Sequence, residues 1–220
     1  MNDRFAHLDL KALYGIPLMC PVAECQSQMS PPEMLAHLLM RHDPQDSMAE
    51  IAADVPMQYE VELDTLTPGK NHSVGVIAYG GSPRVGHSRA VTPDLQILHH
   101  LPIILMLYVS PPMVNQEQVY IFHLVSPVAS RRVNAHLTLL DASCAHETTG
   151  VRCIRNPLDS PVRNSESEDL IYCNTDYLIY TANDIRELCL SGMQQRIFVK
   201  IILYGEPDIF EVDTQDRPTD

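Results

Sequence analysis

Apolar and polar positions alternate with a period of two across Met57–Leu63, where Tyr59, Val61 and Leu63 are interleaved with Glu60 and Glu62. That is the pattern of a strand with one face in a core. Thr67-Pro68-Gly69 then marks a turn, and Ser73–Tyr79 reads as the next strand. Apolar segments recur at 102–109, 119–125, 135–142, 151–158, 170–180 and 196–205, separated by turn-rich or polar stretches. Two segments change period. Residues 31–42 place Met34, Leu35, Leu38 and Leu39 on one helical face, and 182–192 reads as a short helix with Asn183 or Asp184 as cap and Gly192 as its end. Six or more short strands with almost no helix between them predict a mainly β chain, an antiparallel sandwich or barrel. A parallel sheet needs crossover helices that this pattern lacks.

The division that follows is a leader at 1–17, a small finger at 18–46, a β domain at 55–205 and an acidic tail at 206–220. Residues 43–54 read as a polar connector. Residues 80–96, rich in Gly, Pro, Ser and Arg, read as a mobile insertion. The 220-residue chain is 45% hydrophobic and 20% charged, a globular composition. Its formal charge of −13 argues against a broad phosphate-backbone contact and against anionic membrane surfaces. No signal-peptide pattern opens the sequence and no apolar run approaches a membrane span. The expected compartment is cytoplasm or nucleus. There Cys144, Cys153, Cys173 and Cys189 are expected to be free, mostly buried thiols.

The chemistry is concentrated in residues 20–42. Cys20, Cys25, His37 and His42 follow the spacing C-x4-C-x11-H-x4-H, two thiols and two imidazoles between which a helix begins. Ser30 as N-cap, Glu33 three residues on and Pro31 in the first turn predict that start. Two thiolates and two imidazoles make a closed tetrahedral set for one structural Zn2+, with no open position for a catalytic water. Elsewhere there is no nucleophile elbow, no Gly-rich phosphate loop and no further Cys/His cluster. His99, His100, His123 and His136 read as surface or hydrogen-bonded packing residues, and no enzymatic activity is expected. Nucleic-acid binding is the alternative for such a finger. However, DNA-reading fingers present Arg, Lys, Asn or Gln at the helix start, and here that position holds Pro31, Pro32 and Met34.

The finger, with Pro21 after the first cysteine and the ending HLLMRH (37–42), resembles the second zinc finger of the Seven-in-absentia (SINA/SIAH) ubiquitin-ligase family. The segments 119–142 and 174–201 are similar to that family's TRAF-like substrate-binding sandwich, and the resemblance spans roughly residues 18–203. It implies a protein-interaction adaptor in the ubiquitin pathway, a homodimer, and a partner that is a full-length SINA-type ligase or its client. The residues before Cys20 carry no cysteine, so the RING of the family has no counterpart here and no ligase activity is implied. In the family, substrate peptides add as a strand at a sandwich edge. The corresponding positions here are Ser73, Gly75 and Phe198, where the large apolar anchor is missing, which implies a different ligand. A structural module unrelated to ubiquitin is the remaining alternative.

Overall fold

The alternating strands bury their inner faces in a layer shared by two sheets. The computed structural model describes residues 17–22, 25–42, 49–81, 100–112, 114, 116–126, 133–141, 143, 147–153, 177–190 and 195–205. In chain order these form β1 (Leu18–Met19), β2 (Gln28–Met29), α1 (Pro31–Arg41), β3 (Ala49–Ala52), β4 (Pro56–Glu62) and a 3₁₀ turn (Leu63–Thr65). Next come β5 (Lys70–Gly81), β6 (Leu101–Val109), β7 (Val119–Val125), β8 (Asn134–Leu140) and β9 (Glu147–Cys153). The last are β10 (Leu178–Thr181), α2 (Ala182–Leu190) and β11 (Arg196–Tyr204). One sheet has the order β10-β7-β6-β5-β3, the other β4-β11-β8-β9, and β1 pairs with β2 alone. The chain is mainly β, as its pattern predicts. No helix among the described residues is long and apolar enough to cross a membrane.

The shared core follows from the period of two. On β11, Ile197, Val199, Ile201 and Leu203 point inward while the intervening residues stay half-exposed. With Leu137 and Leu139 of β8 and Tyr59 and Val61 of β4 they meet Ile77, Tyr79, Ile103, Leu105, Leu107, Phe122 and Leu124 of the opposite sheet. Strand β6 does not alternate; all nine of its residues are buried. Its other face, with Ile104 and Met106, packs under α1 together with Val76, Ala78 and Val125. The uninterrupted apolar run is therefore that of a strand covered on both sides.

At Gly75 the two sheets touch through a missing side chain. A Cβ there would collide with Cε1 of Tyr59, so the tyrosine ring lies against the bare backbone. The Tyr59 hydroxyl then donates to the carbonyl of Val76 at 3.3 Å. The ladder between β5 and β6 shifts register between Ser73 and Gly75, leaving Val74 as the extra residue of a bulge.

Several boundaries differ from the sequence reading. The connector at 43–54 contains β3, which pairs in parallel with Ile77–Gly81 of β5. Four residues stabilised by a distant strand carry no local periodicity, so that pairing is invisible in sequence. The polar stretch after 142 contains the first half of β9, which ends its sheet among the described residues. Helix α2 is capped by Thr181, not by Asn183 or Asp184. The Thr181 N–H and hydroxyl donate to Oδ2 of Asp184 at 2.7 and 2.8 Å, and the Asp184 N–H donates back to the Thr181 hydroxyl at 3.2 Å. Leu63, read as a strand residue, opens the 3₁₀ turn. The leader to residue 16, the insertion from 82, the segment 154–176, Gly192 and the acidic tail lie outside the described residues.

His123 is a packing residue, as expected, but a deeply buried one. It stacks edge-on against Tyr177 with ring centroids 5.3 Å apart, and its Nδ1 has no hydrogen-bond partner among the described residues. Burial drives its pKa down from 6.5 to about 4, against a smaller opposing effect of the Ile121 backbone. The unfolded chain thus binds a proton between these values that the folded chain refuses. Stability is expected to fall as pH drops from 6.5 towards 4, and His123→Phe should flatten that slope in pH-dependent urea denaturation. An unchanged slope would remove His123 as its source. A second expectation concerns Gly75→Ala, which should cost about 1–3 kcal/mol through overpacking against Tyr59. Combining it with Tyr59→Leu should give a loss smaller than the sum of the two, read from urea midpoints.

Candidate functional site

The short ladder β1–β2 pairs Leu18 with Met29 and Met19 with Gln28, and folds the chain into a knuckle. The Cys20 N–H donates to the Ser27 carbonyl at 2.9 Å and the Cys25 N–H to Val22 at 3.2 Å, so both cysteines leave the same turn. Helix α1 starts as its sequence demands. The carboxylate of Glu33 accepts the Ser30 N–H at 3.0 Å and the Ser30 hydroxyl at 2.7 Å. These bonds hold the Glu33 carboxyl below its ordinary pKa.

Residues five apart on a continuous helix point about 140° away from each other. His37 and His42 nonetheless converge, because α1 ends at Arg41 and His42 takes a non-helical backbone (φ −132°, ψ 3°) while its N–H still bonds to the Leu38 carbonyl at 2.8 Å. The two imidazoles meet Nε2 to Nε2 at 3.2 Å, and Cys25 Sγ lies 3.4 Å from His37 Nε2. All four donor atoms fall within 4.8 Å of one another. Bond lengths of about 2.0–2.3 Å to a central ion give tetrahedron edges of about 3.3–3.8 Å. Cys20, Cys25, His37 and His42, the four predicted from spacing, can thus hold one metal ion.

Electrostatics distinguishes the two thiols. Burial pushes Cys20 up to about 12, only partly offset by the Val22 backbone. Burial also raises Cys25, but hydrogen bonds from Ser27 and Cys20 and the nearby Arg41 charge outweigh it, leaving it below the ordinary value. Burial, then Arg41, lowers His37; burial, then His37 and Arg41, lowers His42. Both imidazoles are thereby kept neutral, the form that ligates. A cation supplies what Cys20 lacks, a charge that makes its thiolate favourable.

The site is attached to the sandwich by apolar packing. Met34, Leu35, Leu38 and Cys20 are buried against Val76 and Ala78 of β5, Ile104 and Met106 of β6 and Val125 of β7. Each fully buried side chain of this kind contributes roughly 2 kcal/mol. The family resemblance implies a finger packed against the sandwich as a rigid extension, and these contacts agree with it. The signal for docking was the apolar run of β6, which has no reason to lack polar residues unless both faces are covered.

The three positions implied by the family resemblance are not brought together. Gly75 faces the shared core against Tyr59. Ser73 is paired with Met106, a residue of the finger-side face, whereas Phe198 lies on the outer side of the other sheet, paired with Glu60 and Leu140. Near Ser73 there is a different feature. A cavity of 390 Å³ is walled by Glu60, Val61, Glu62, Thr65, Leu66, His72, Ser73 and Val74. It opens between two strand flanks without a described neighbour. Strand β4 ends its sheet, and β3 covers only the far half of β5. The His72 Nε2 braces the turn beside it, 2.9 Å from the Thr67 carbonyl and 3.2 Å from the Thr67 N–H. No local pattern announces this slot, since its walls come from two sheets.

A finger-type Cys/His site docked on a two-sheet sandwich is the class that fold and site define. The chain belongs to the family described as Domain of unknown function (DUF4729), which matches residues 19–191 and so takes in all four Cys/His donors. No curated protein matches the chain.

Cys25→Ser is expected to abolish stoichiometric metal binding, measured by elemental analysis of the purified chain. Because the finger covers Val76, Ile104 and Met106, the variant should also bind a hydrophobic dye while its strand signal in circular dichroism persists. Full metal content in the variant would exclude Cys25 as a ligand.

Proposed function

We propose that this chain is a non-catalytic protein-interaction module. In this reading one structural Zn2+ is held by Cys20, Cys25, His37 and His42, and the sandwich receives an extended segment of a partner at the β4–β5 slot. Zinc is the ion best suited to two thiolates and two imidazoles in a closed set. When bound it supplies charge neutralisation and a crosslink. The residues do the rest, holding the knuckle against α1 and α1 against the sheet. With all four positions filled by side chains, no ligand site is left on the metal for a substrate.

The observation that carries the reading is the cavity between two strand flanks that lack neighbours among the described residues. Exposed strand edges attract further strands, and extended peptides add to them through main-chain bonds that are independent of sequence. The finger stiffens the sheet on which one flank lies, which lowers the ordering cost of binding there.

The order of finger and sandwich also supports a Seven-in-absentia-like role. We therefore extend the reading to a non-catalytic partner or modulator of a SINA-type ubiquitin ligase, acting as a homodimer in cytoplasm or nucleus. The test is a pull-down of the zinc-loaded chain with a full-length SINA-type ligase, with sedimentation of the chain alone. A stoichiometric complex is expected. A chain that captures no ligase and sediments as a monomer would refute this extension and leave the peptide slot to be judged separately.

A further inference from the structure

The slot between β4 and β5 has a chemical bias that goes beyond strand addition, and the argument rests on the reading of that slot as a peptide site. Its wall contains two carboxylates, Glu60 and Glu62, and no Lys or Arg. Glu60 is engaged by Arg196 at 2.6 Å. Glu62 is exposed, and its carboxylate has no partner among the described residues. Asp64 follows in the 3₁₀ turn beside it. The remaining lining alternates in character: Val61, Leu66 and Val74 are apolar, while the Ser73 hydroxyl is buried without a hydrogen-bond partner among the described residues.

We propose that the slot takes an extended, cationic segment of another protein, with Lys or Arg at every second position. Side chains of a strand point alternately to opposite sides. One set then reaches Glu62 and the rim of Glu60, and the other set rests on Val61, Leu66 and Val74. The backbone pairs with the flank of β5 at Lys70–Gly75, which β3 does not reach and no other described strand flanks. A chain of formal charge −13 draws such a segment in from a distance, and Glu62 fixes where it stops. An edge-strand glutamate also repels unwanted strands. Charge complementarity turns the same residue into a filter that admits only basic ones.

The experiment uses the full metal-loaded chain and three fluorescent synthetic peptides alternating Lys-Val, Ser-Val and Glu-Val. Anisotropy is read at about 0.15 M salt. The Lys-Val peptide is expected to bind, with the other two weaker by roughly tenfold or more. Glu62→Lys should weaken the Lys-Val peptide by roughly tenfold, whereas Glu187→Lys, an exposed reversal on α2, should leave it unchanged. Amide shifts on titration should be largest at Lys70–Gly75. Equal losses in both variants would mean diffuse attraction by net charge and overturn the proposal. Equal binding of all three peptides, mapped to Lys70–Gly75, would overturn the cationic preference and leave the peptide slot standing. No binding of any peptide would overturn both. So would dimerisation through this edge, seen as sedimentation that changes in Glu62→Lys, because a second copy would then fill the slot.

Discussion

The structure depends on one packing event, the seating of α1 on the outer face of the five-stranded sheet. Without it, Val76, Ala78, Ile104, Met106 and Val125 would form an exposed apolar patch on a sheet already buried on its other side. Without the sheet, Met34, Leu35 and Leu38 would face water from an eleven-residue helix, too short to be stable alone. Each part completes the other. The metal donors sit at the edge of this contact, with Cys20 inside it and Cys25 towards solvent.

That placement ties metal chemistry to the fold. A thiol held near 12 is a poor ligand until a cation replaces its proton, so ion binding and burial of Cys20 are favourable only together. Binding free energies of about 10–16 kcal/mol in isolated fingers exceed the stability of most whole domains. An ion held by these four residues would close the knuckle and anchor the lid over β6 together, so the sandwich has a stake in a site that none of its own strands contributes to.

The opposite side of β5 is organised by what is absent. Gly75 gives up its side chain so that Tyr59 can lie against the backbone, and the bulge at Val74 turns the strand beside it. Among the described residues β3 pairs with only half of β5, and β4 ends the second sheet. A sandwich usually protects such flanks, and here Glu60 and Glu62 of β4 line the opening.

The sequence by itself determined the four side chains that come together as a possible metal site, because ligand chemistry constrains residue type and spacing within a segment of 23 residues (20–42). It determined α1 through the Ser30–Glu33 cap, and most strands through alternation, since these depend on near neighbours. It missed β3 and the true cap of α2, and extended β4 into Leu63. A four-residue parallel strand is stabilised only by a partner some 28 positions away, and a threonine cap looks like strand until the helix behind it forms. Only the tertiary structure decided which residues dock the finger, that Ser73, Gly75 and Phe198 face three different surroundings, and that Glu60, Glu62, Leu66 and Val74 share a slot. These are contacts between segments far apart in the chain, and alternation records only that a face is covered, not by what.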